Sequence, residues 1–595
     1  MRRSLTDLMA SGDRPADALE NREPVPGDSD VPLSSLMVAK LAAFRRSQAE
    51  NDLARAIEAA RQRDAGSRPP TARPATPCPS STECNLRQAS TPNKEQNGQP
   101  SREGSGRTTM TTTANGRPAV HGAVRALYSS DGTDSEPVVP PIVHDLRAAL
   151  PDEVVVTDVD RLQSYRRDMS SGTAAGTPLA LVLPRNATEV ATALRIAHRH
   201  GTGVVPRGAG SGLAGGANAI DGTITLGLER MAAIVEIDPV DSVAVVEPGV
   251  VNHVLRQAVA EFGLNYAPDP ASRDWCTIGG NIATNAGGLC CVKYGVTRDW
   301  LLGLDVVLAD GTAFHTGRRT IKGVAGYDLP QLLCGSEGTL AITTRATVRL
   351  KPLPAPPVTL LATFATVQQA GAACSAALRV LTPSLMELMD RATLAAVSRG
   401  RNLGVDVDVK VMLVAQVDSP GAAGLAEAEL MEQICVAHGA IDVMTSSDPA
   451  ESEMLLAARR FAYAAIEELG RTMSDDVAIP RSKIADFLLG VEKIAVEHQV
   501  HICSFGHAGD GNMHPTIVVP HGDEAAAVAM FAAFEAILRL ARSLGGTVTG
   551  EHGVGLLKVP YLGEEIGPIS AALQHGIKAV FDPAGLLNPG KSFPA

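Results

Sequence analysis

A chain of 595 residues is too long for one hydrophobic core and calls for two or three domains. Its composition, 45% hydrophobic and 20% charged with aromatics held to 3%, is that of an ordinary globular protein. A net charge of −12 with no Lys/Arg run excludes a nucleic-acid-binding surface, no apolar run reaches the about 20 residues of a membrane span, and nine cysteines without paired spacing are no disulfide framework. Arg2-Arg3 is followed by no apolar signal segment, so the expected compartment is the cytoplasm, with any membrane association made through a partner.

Residues 1–139 read as a low-complexity, mostly disordered tail. Ala65 to Pro137 is rich in Ser, Thr, Pro, Gly, Asn and Gln, which cannot bury enough apolar area to fold. A lone helix is expected over Leu36–Arg63, and Met110 is a candidate start of a shorter protein. Order is expected from Val138: a helix over Val143–Leu150, a buried strand over Leu179–Leu183, then a helix capped by Asn186 with Glu189 three residues on, running to about His200. The short apolar run Val204-Val205 then enters a loop with five glycines in nine residues, Gly208 to Gly216. Successive backbone N–H groups in such a loop make an anion nest suited to a pyrophosphate. Gly210-Ser-Gly-Leu-Ala-Gly215 matches G-x-G-x-x-G, but a turn and the strand Thr223–Leu226 follow where a dinucleotide-binding turn needs a helix, so the Rossmann reading fails.

Strands are expected at Ile234–Ile237, Ser242–Val246 and Leu304–Leu308, with a helix at Val250–Phe262. Two more small-residue stretches follow: Tyr266–Pro270 with Thr277–Gly288 and Lys293-Tyr-Gly295, and Leu333-Cys-Gly-Ser-Glu-Gly-Thr-Leu-Ala-Ile342. Three such loops, each tied to a strand, suit one long ligand threaded between two sub-sheets. On these segments the chain resembles the vanillyl-alcohol-oxidase-like, PCMH-type FAD-binding proteins, and more narrowly the FAD-linked D-2-hydroxy-acid dehydrogenases, from about Ser164 to the C-terminus. The resemblance implies an α+β fold with a PCMH-type FAD-binding domain over 140–353, a mixed α/β substrate and metal cap over 354–570 and a C-terminal segment, 571–595, returning to the FAD domain. It implies flavin contacts from Pro206, Arg207, Gly208, Ala209, Gly210, Ser211, Gly212, Gly215, Gly216, Pro268, Asp269, Thr277, Ile278, Gly280, Asn281, Ala283, Asn285, Tyr294, Gly295, Glu337, Gly338, Ile342 and Asn588. The family's covalent members carry a histidine in or near the first loop, and this loop has none, which implies non-covalent FAD.

Lys351-Pro-Leu-Pro-Ala-Pro-Pro357 is a natural boundary, beyond which strands at Val358–Thr363, Lys410–Val417 and Ile441–Val443 alternate with Ala-rich helices at Val367–Leu381 and Gly421–Ala437. Glu387 and Asp390, in Ser384-Leu-Met-Glu-Leu-Met-Asp390, read as turn or helix-end carboxylates. In Ser504-Phe-Gly-His-Ala-Gly-Asp-Gly-Asn-Met-His-Pro515, a two-residue turn at Asp510-Gly511 predicts a hairpin that sets His507 directly opposite His514, Cβ atoms about 5 Å apart and able to share a metal. Gly550-Glu-His-Gly553 offers a third ligand, and adjacent side chains on extended backbone point opposite ways, so one of Glu551 and His552 can ligate while the other faces substrate. The resemblance implies metal on His507, His514 and Glu551, His552 as base, Asn512 among the catalytic residues, and a substrate-carboxylate arginine at Arg459, with Arg481 a second candidate.

Two histidines and a carboxylate suit Zn²⁺, Mn²⁺ or Fe²⁺. The extra lysine that the 2-hydroxyglutarate enzymes carry before Ile479-Pro480 is replaced by Ser474-Asp-Asp476, which favours glycolate or lactate over a diacid. The expected activity is oxidation of a small D-2-hydroxy acid. Electrons would leave to a quinone, cytochrome, electron-transfer flavoprotein or iron–sulfur partner, and a homodimer is a further expectation. Alternatives are a non-redox flavoenzyme of the alkyl-dihydroxyacetone-phosphate synthase kind, or an electron-transfer subunit of a multi-subunit glycolate oxidase.

Overall fold

The structure, a computed structural model, describes residues 139–401 and 409–593, which fall in one compact unit. The expectations placed on residues 1–138, the Leu36–Arg63 helix and Met110 among them, lie outside the described residues. Among the described residues the first helix is Pro141–Ala149, and β1 (Val155–Val156) and β2 (Ala180–Val182) follow. The helix Ala187–His200 starts where Asn186 accepts from Glu189 N, and Gly201 in the left-handed region (φ 60°) ends it. Glu189 reaches back one residue beyond the cap, accepting from Arg185 N at 2.8 Å.

Strands β3 (Val204–Arg207) and β4 (Ile224–Gly227) run parallel with no helix between them, so a dinucleotide turn is absent from the first sheet, of order β1-β2-β4-β3. Next come β5 (Ile234–Asp238), β6 (Val243–Val246), the short β7 (Leu264–Asn265), β8 (Leu301–Val307), β9 (Ala313–Gly317), β10 (Ile342–Arg349) and the short β11 (Lys351–Pro352). The antiparallel order β5-β6-β10-β8-β9 makes a second sheet, and β7 pairs with β11. Near the C-terminus Val204 N donates to Leu586 O and Asn588 N to Val204 O, so residues 586–588 run beside β3.

The strands after residue 357 form one antiparallel eight-stranded sheet: β12 (Val358–Phe364), β13 (Leu385–Asp390), β14 (Val411–Val417), β15 (Ala440–Ser446), β16 (Arg471–Ser474), β17 (Val477–Ala478), β18 (His501–His507) and β19 (Asn512–Val519). Its inner strands β12, β14 and β13 are buried along almost their whole length and mostly apolar, because both faces are covered. Leu360, Ala362, Phe364, Met386 and Leu388 pack with the helices Val367–Ala377, Ile484–Glu497 and Glu524–Ser543. Leu361, Leu385, Met389, Cys503 and Phe505 take the opposite side, under the helix Pro449–Glu467.

The structure corrects two expectations in this sheet. The hairpin pairs His507 with Asn512 and Phe505 with His514, two residues out of the expected register. The loop is four residues long because Asp510 Oδ1 accepts from Asn512 N (3.1 Å) and Gly511, at φ +88°, returns its N–H to His507 O (2.9 Å). The histidines are diagonal neighbours on one face, their ring centroids 5.2 Å apart. Glu387 is no turn or helix-end group: it sits inside β13, opposite His507 and 0% exposed. Asp390 ends that strand and accepts from Thr393 N at 2.7 Å and Ser504 N at 2.8 Å.

Candidate flavin cavity and metal-ligand cluster

The three small-residue loops converge on a cavity of about 350 Å³. Pro206 to Gly212 and Gly216 line it from the first loop, Thr277, Gly280, Asn281 and Ala283 from the second, and Glu337, Gly338 and Ile342 from the third. Among the described residues, no backbone N–H from Gly208 to Gly216 donates to a protein acceptor. Arg207 is buried behind the loop with Nη1 unpartnered. A Cβ at Gly208 would lie 2.5 Å from Thr277 Oγ1, so a larger residue would force the loops apart. Free amides and the unpartnered Nη1 of Arg207, with bare backbone between them, fit the pyrophosphate of a dinucleotide such as FAD.

The remaining expected flavin residues stand behind the lining. Gly215 O accepts from Asn218 N, Pro268 O accepts from Asn252 Nδ2 (3.1 Å), and Asp269 accepts from Cys290 N (3.1 Å). Ile278 is core, Asn285 caps a helix in the left-handed region, and Gly295 at φ +76° makes room for Asp299. The Tyr294 hydroxyl and Lys293 Nζ both donate to Asp418, joining the second small-residue stretch to the end of β14. Asn588 Nδ2 donates to Gly216 O (3.0 Å) and Glu337 O (2.7 Å), fastening two loops to each other. Asp168, Met169, Trp275 and Tyr463 also line the cavity, and nothing in their sequence context marks them.

Glu551 and His552 lie at the cavity wall. Glu551 Oε1 is 3.3 Å from His507 Nε2 and 3.4 Å from His514 Nε2. The ligand atoms of these three residues all lie within 4.8 Å of one another, close enough to converge on a single ion. Behind them Glu387 accepts from His507 Nδ1 at 2.6 Å and from Arg459 Nε at 2.6 Å. A carboxylate on Nδ1 keeps the proton there and turns Nε2 toward the cluster, as carboxylates behind metal-bound imidazoles do. Burial disfavours a charge on His507, but Glu387 and Glu551 outweigh it and hold its pKa well above the ordinary value. Glu551 is pushed up by burial, yet the two histidines hold it well below the usual carboxylate range. An ion taken up there would displace the shared proton.

His552 stacks on His514 with centroids 5.1 Å apart, and burial pushes it down to about 4 despite the nearby Asp476, so its ring is neutral at pH 7. Arg459, 7% exposed, lies over the Phe505 ring at 4.6 Å and is tied to the cluster through Glu387. Arg481 is exposed in the single turn Arg481–Lys483, and neither it nor Arg459 is among the residues that line the cavity. Asn512 packs against Gly550, where a Cβ would fall 2.3 Å from its Oδ1. Sequence reasoning missed the roles of Glu387 and Asp476. The available signal was a carboxylate at the centre of the apolar strand Leu385-Met-Glu-Leu-Met389.

Residues 178–317 match the FAD binding domain family and residues 353–592 the family of FAD linked oxidases, C-terminal domain. Glycolate oxidase subunit GlcD of Bacillus subtilis is 41% identical over 420 residues, 70% of this chain and 89% of that one. D-lactate dehydrogenase of Archaeoglobus fulgidus is 36% identical over 419 residues, 69% of this chain and 90% of that one. Among solved structures, 4-ethylphenol oxidase from Gulosibacter chungangensis superposes with a TM-score of 0.65 at 20% identity, over 76% of this chain and 97% of that one. p-Cresol methylhydroxylase superposes at 0.63 and 19% identity, over 76% and 96%. These two share the PCMH-type flavin fold. No helix among the described residues is long and apolar enough to cross a membrane.

Proposed function

The chain belongs to the FAD-linked oxidoreductase family that includes glycolate oxidase GlcD chains and D-lactate dehydrogenases, and on that footing we propose that it oxidises D-lactate or glycolate to the 2-oxo acid with non-covalent FAD and a divalent metal. The observation that carries the reading is the convergence of His507, His514 and Glu551 beside His552 at the wall of the glycine-lined cavity. When bound, the flavin supplies the acceptor for the Cα hydride and the divalent ion a Lewis acid for the hydroxyl.

The chain's own residues supply position and proton transfer. His507, His514 and Glu551 would hold the ion, and two imidazoles with one carboxylate suit Zn²⁺, Mn²⁺ or Fe²⁺. His552 would take the hydroxyl proton, a task for a neutral imidazole. Arg459, buried next to the cluster, would present its remaining guanidinium N–H groups to the substrate carboxylate. Exposed Arg481 is the weaker candidate for that clamp. Asn512, at the hairpin end between His507 and Gly550, would steady the same wall. Ser474-Asp475-Asp476 offers no cation for a second carboxylate, which supports a monoacid.

Relatives named as one subunit of an oxidase support a second reading, in which this chain is an electron-transfer subunit of a multi-subunit glycolate oxidase; in either reading electrons would leave to a quinone, cytochrome, electron-transfer flavoprotein or iron–sulfur partner. The deciding experiment is anaerobic reduction of the purified yellow protein by D-lactate, L-lactate and glycolate, with and without chelator. Flavin bleaching by D-lactate or glycolate that chelator abolishes is the expected result. A protein that gains no flavin on reconstitution, or whose flavin no hydroxy acid reduces, refutes the proposal.

A further inference from the structure

Asp475 and Asp476 are adjacent carboxylates, each 0% exposed, beside the metal-donor cluster, and the proposed oxidation uses neither. Asp476 Oδ2 accepts from four donors of one short turn: Thr549 Oγ1 at 2.8 Å, Gly550 N at 2.9 Å, Glu551 N at 3.0 Å and His552 N at 2.8 Å. Lys558 Nζ donates to Asp476 O at 2.6 Å and stands 3.1 Å from Asp475 Oδ1, which offsets the buried charge. Successive N–H groups of a turn form a nest for an anion. In this turn the anion is a side chain from 73 residues upstream.

The consequence is geometric. With three consecutive amides pinned to one oxygen, the backbone at 550–552 is set, and its two side chains leave it in different directions. Glu551 goes to His507 and His514, while His552 stacks on His514 and faces the cavity. The donor atoms of Asp476, His514 and His552 also lie within 4.8 Å of one another and could themselves hold an ion. Against that, Oδ2 already serves four hydrogens, more than its lone pairs, and Oδ1 is 3.9 Å from His514 Nδ1 and accepts from Glu551 N at 3.2 Å. We propose that Asp476 is a positioning residue that aims Glu551 and His552 for the metal-assisted oxidation, a role that rests on that oxidation, and is not a metal ligand.

The test compares flavin-loaded full-length wild type with Asp476→Asn, titrating each with Mn²⁺ and assaying each with D-lactate and a dye acceptor. The variant should bind Mn²⁺ roughly 10–100-fold more weakly at unchanged stoichiometry. Its kcat should fall by a similar factor with KM within about threefold, because orientation of base and ligand matters in the transition state rather than in substrate capture. A fall in stoichiometry would make Asp476 a ligand and overturn the proposal, as would unchanged Mn²⁺ affinity and kcat. Should Asp476→Asn lose its flavin on folding, Thr549→Val decides: removing one of the four donors should lower kcat roughly threefold to tenfold, and no change overturns the proposal. A wild type that binds Mn²⁺ but oxidises no hydroxy acid refutes the oxidation alone, with the Mn²⁺ comparison still reporting on Asp476. A wild type that binds no Mn²⁺ overturns both.

Discussion

Replacing Glu387 by glutamine keeps the shape and removes the charge from the residue that joins Arg459 to His507. Both carboxylate oxygens are occupied, one by Arg459 Nε and one by His507 Nδ1, each at 2.6 Å in a fully buried site. An amide has one oxygen, so one partner must face an NH₂. Turned toward Arg459, that NH₂ sets donor against donor in a buried site, at about 1–3 kcal/mol. Turned toward His507, it forces Nδ1 to accept, moving the ring proton to Nε2, the atom 3.3 Å from Glu551. A protonated Nε2 cannot ligate. Losing the carboxylate behind a metal-binding imidazole corresponds to roughly 10–100-fold in metal affinity, about 1.4–2.7 kcal/mol. The loss of Arg459's buried counter-charge should cost stability as well, up to about 3–5 kcal/mol. Calorimetric titration of flavin-loaded wild type and Glu387→Gln with Zn²⁺ reads the first quantity, and urea midpoints read the second. Zn²⁺ affinity within twofold of wild type in a folded variant would refute the reasoning that Glu387 sets the His507 tautomer.

Gly210→Ala should lower the flavin-to-protein ratio and weaken flavin binding at least about tenfold, since φ is +82° and the new Cβ would fall 2.0 Å from Arg207 Nη2; full flavin occupancy would contradict the cradle described for that loop. Arg459→Lys keeps a cation for Glu387 but loses the fork, so KM for D-lactate should rise about tenfold or more with flavin content unchanged; an unchanged KM would move the carboxylate clamp elsewhere. Burial pushes Asp390 up to about 6, against an ordinary carboxyl near about 3.9. The native state therefore binds this proton more tightly than the unfolded chain. That contribution favours the fold below about pH 4 and is lost as pH rises through about 6, a swing of up to about 3 kcal/mol. The stability of Asp390→Asn relative to wild type, from urea curves at pH 4.5 and 7.5, should accordingly improve with pH, and a pH-independent difference would refute the assignment.

Local signals were strong where the cause was local. The Asn186 cap, the glycine loop and the strand that follows it depend on neighbouring residues, and each stands where the sequence placed it. The hairpin was legible as a hairpin, but the Asp-Gly pair predicts a two-residue turn where an Asx turn with a left-handed glycine closes a four-residue loop, and the register moves by two. His507 and His514 keep a common face only because a two-residue shift preserves strand parity.

Residue identity alone marked the candidate groups: two histidines near one turn, Glu551-His552 between glycines, and amide-rich loops without bulky side chains. What holds those groups came from the fold in three dimensions. Glu387 meets His507 from 120 residues away and Asp476 meets the 549–552 turn from 73 away. Neither pairing has a spacing rule, because strand order in the eight-stranded sheet sets β13 beside β18 and the bridge from Ala478 to Thr547 brings Asp476 to the turn. A buried charge must find a partner, but the sequence names only the charge; the fold names the partner.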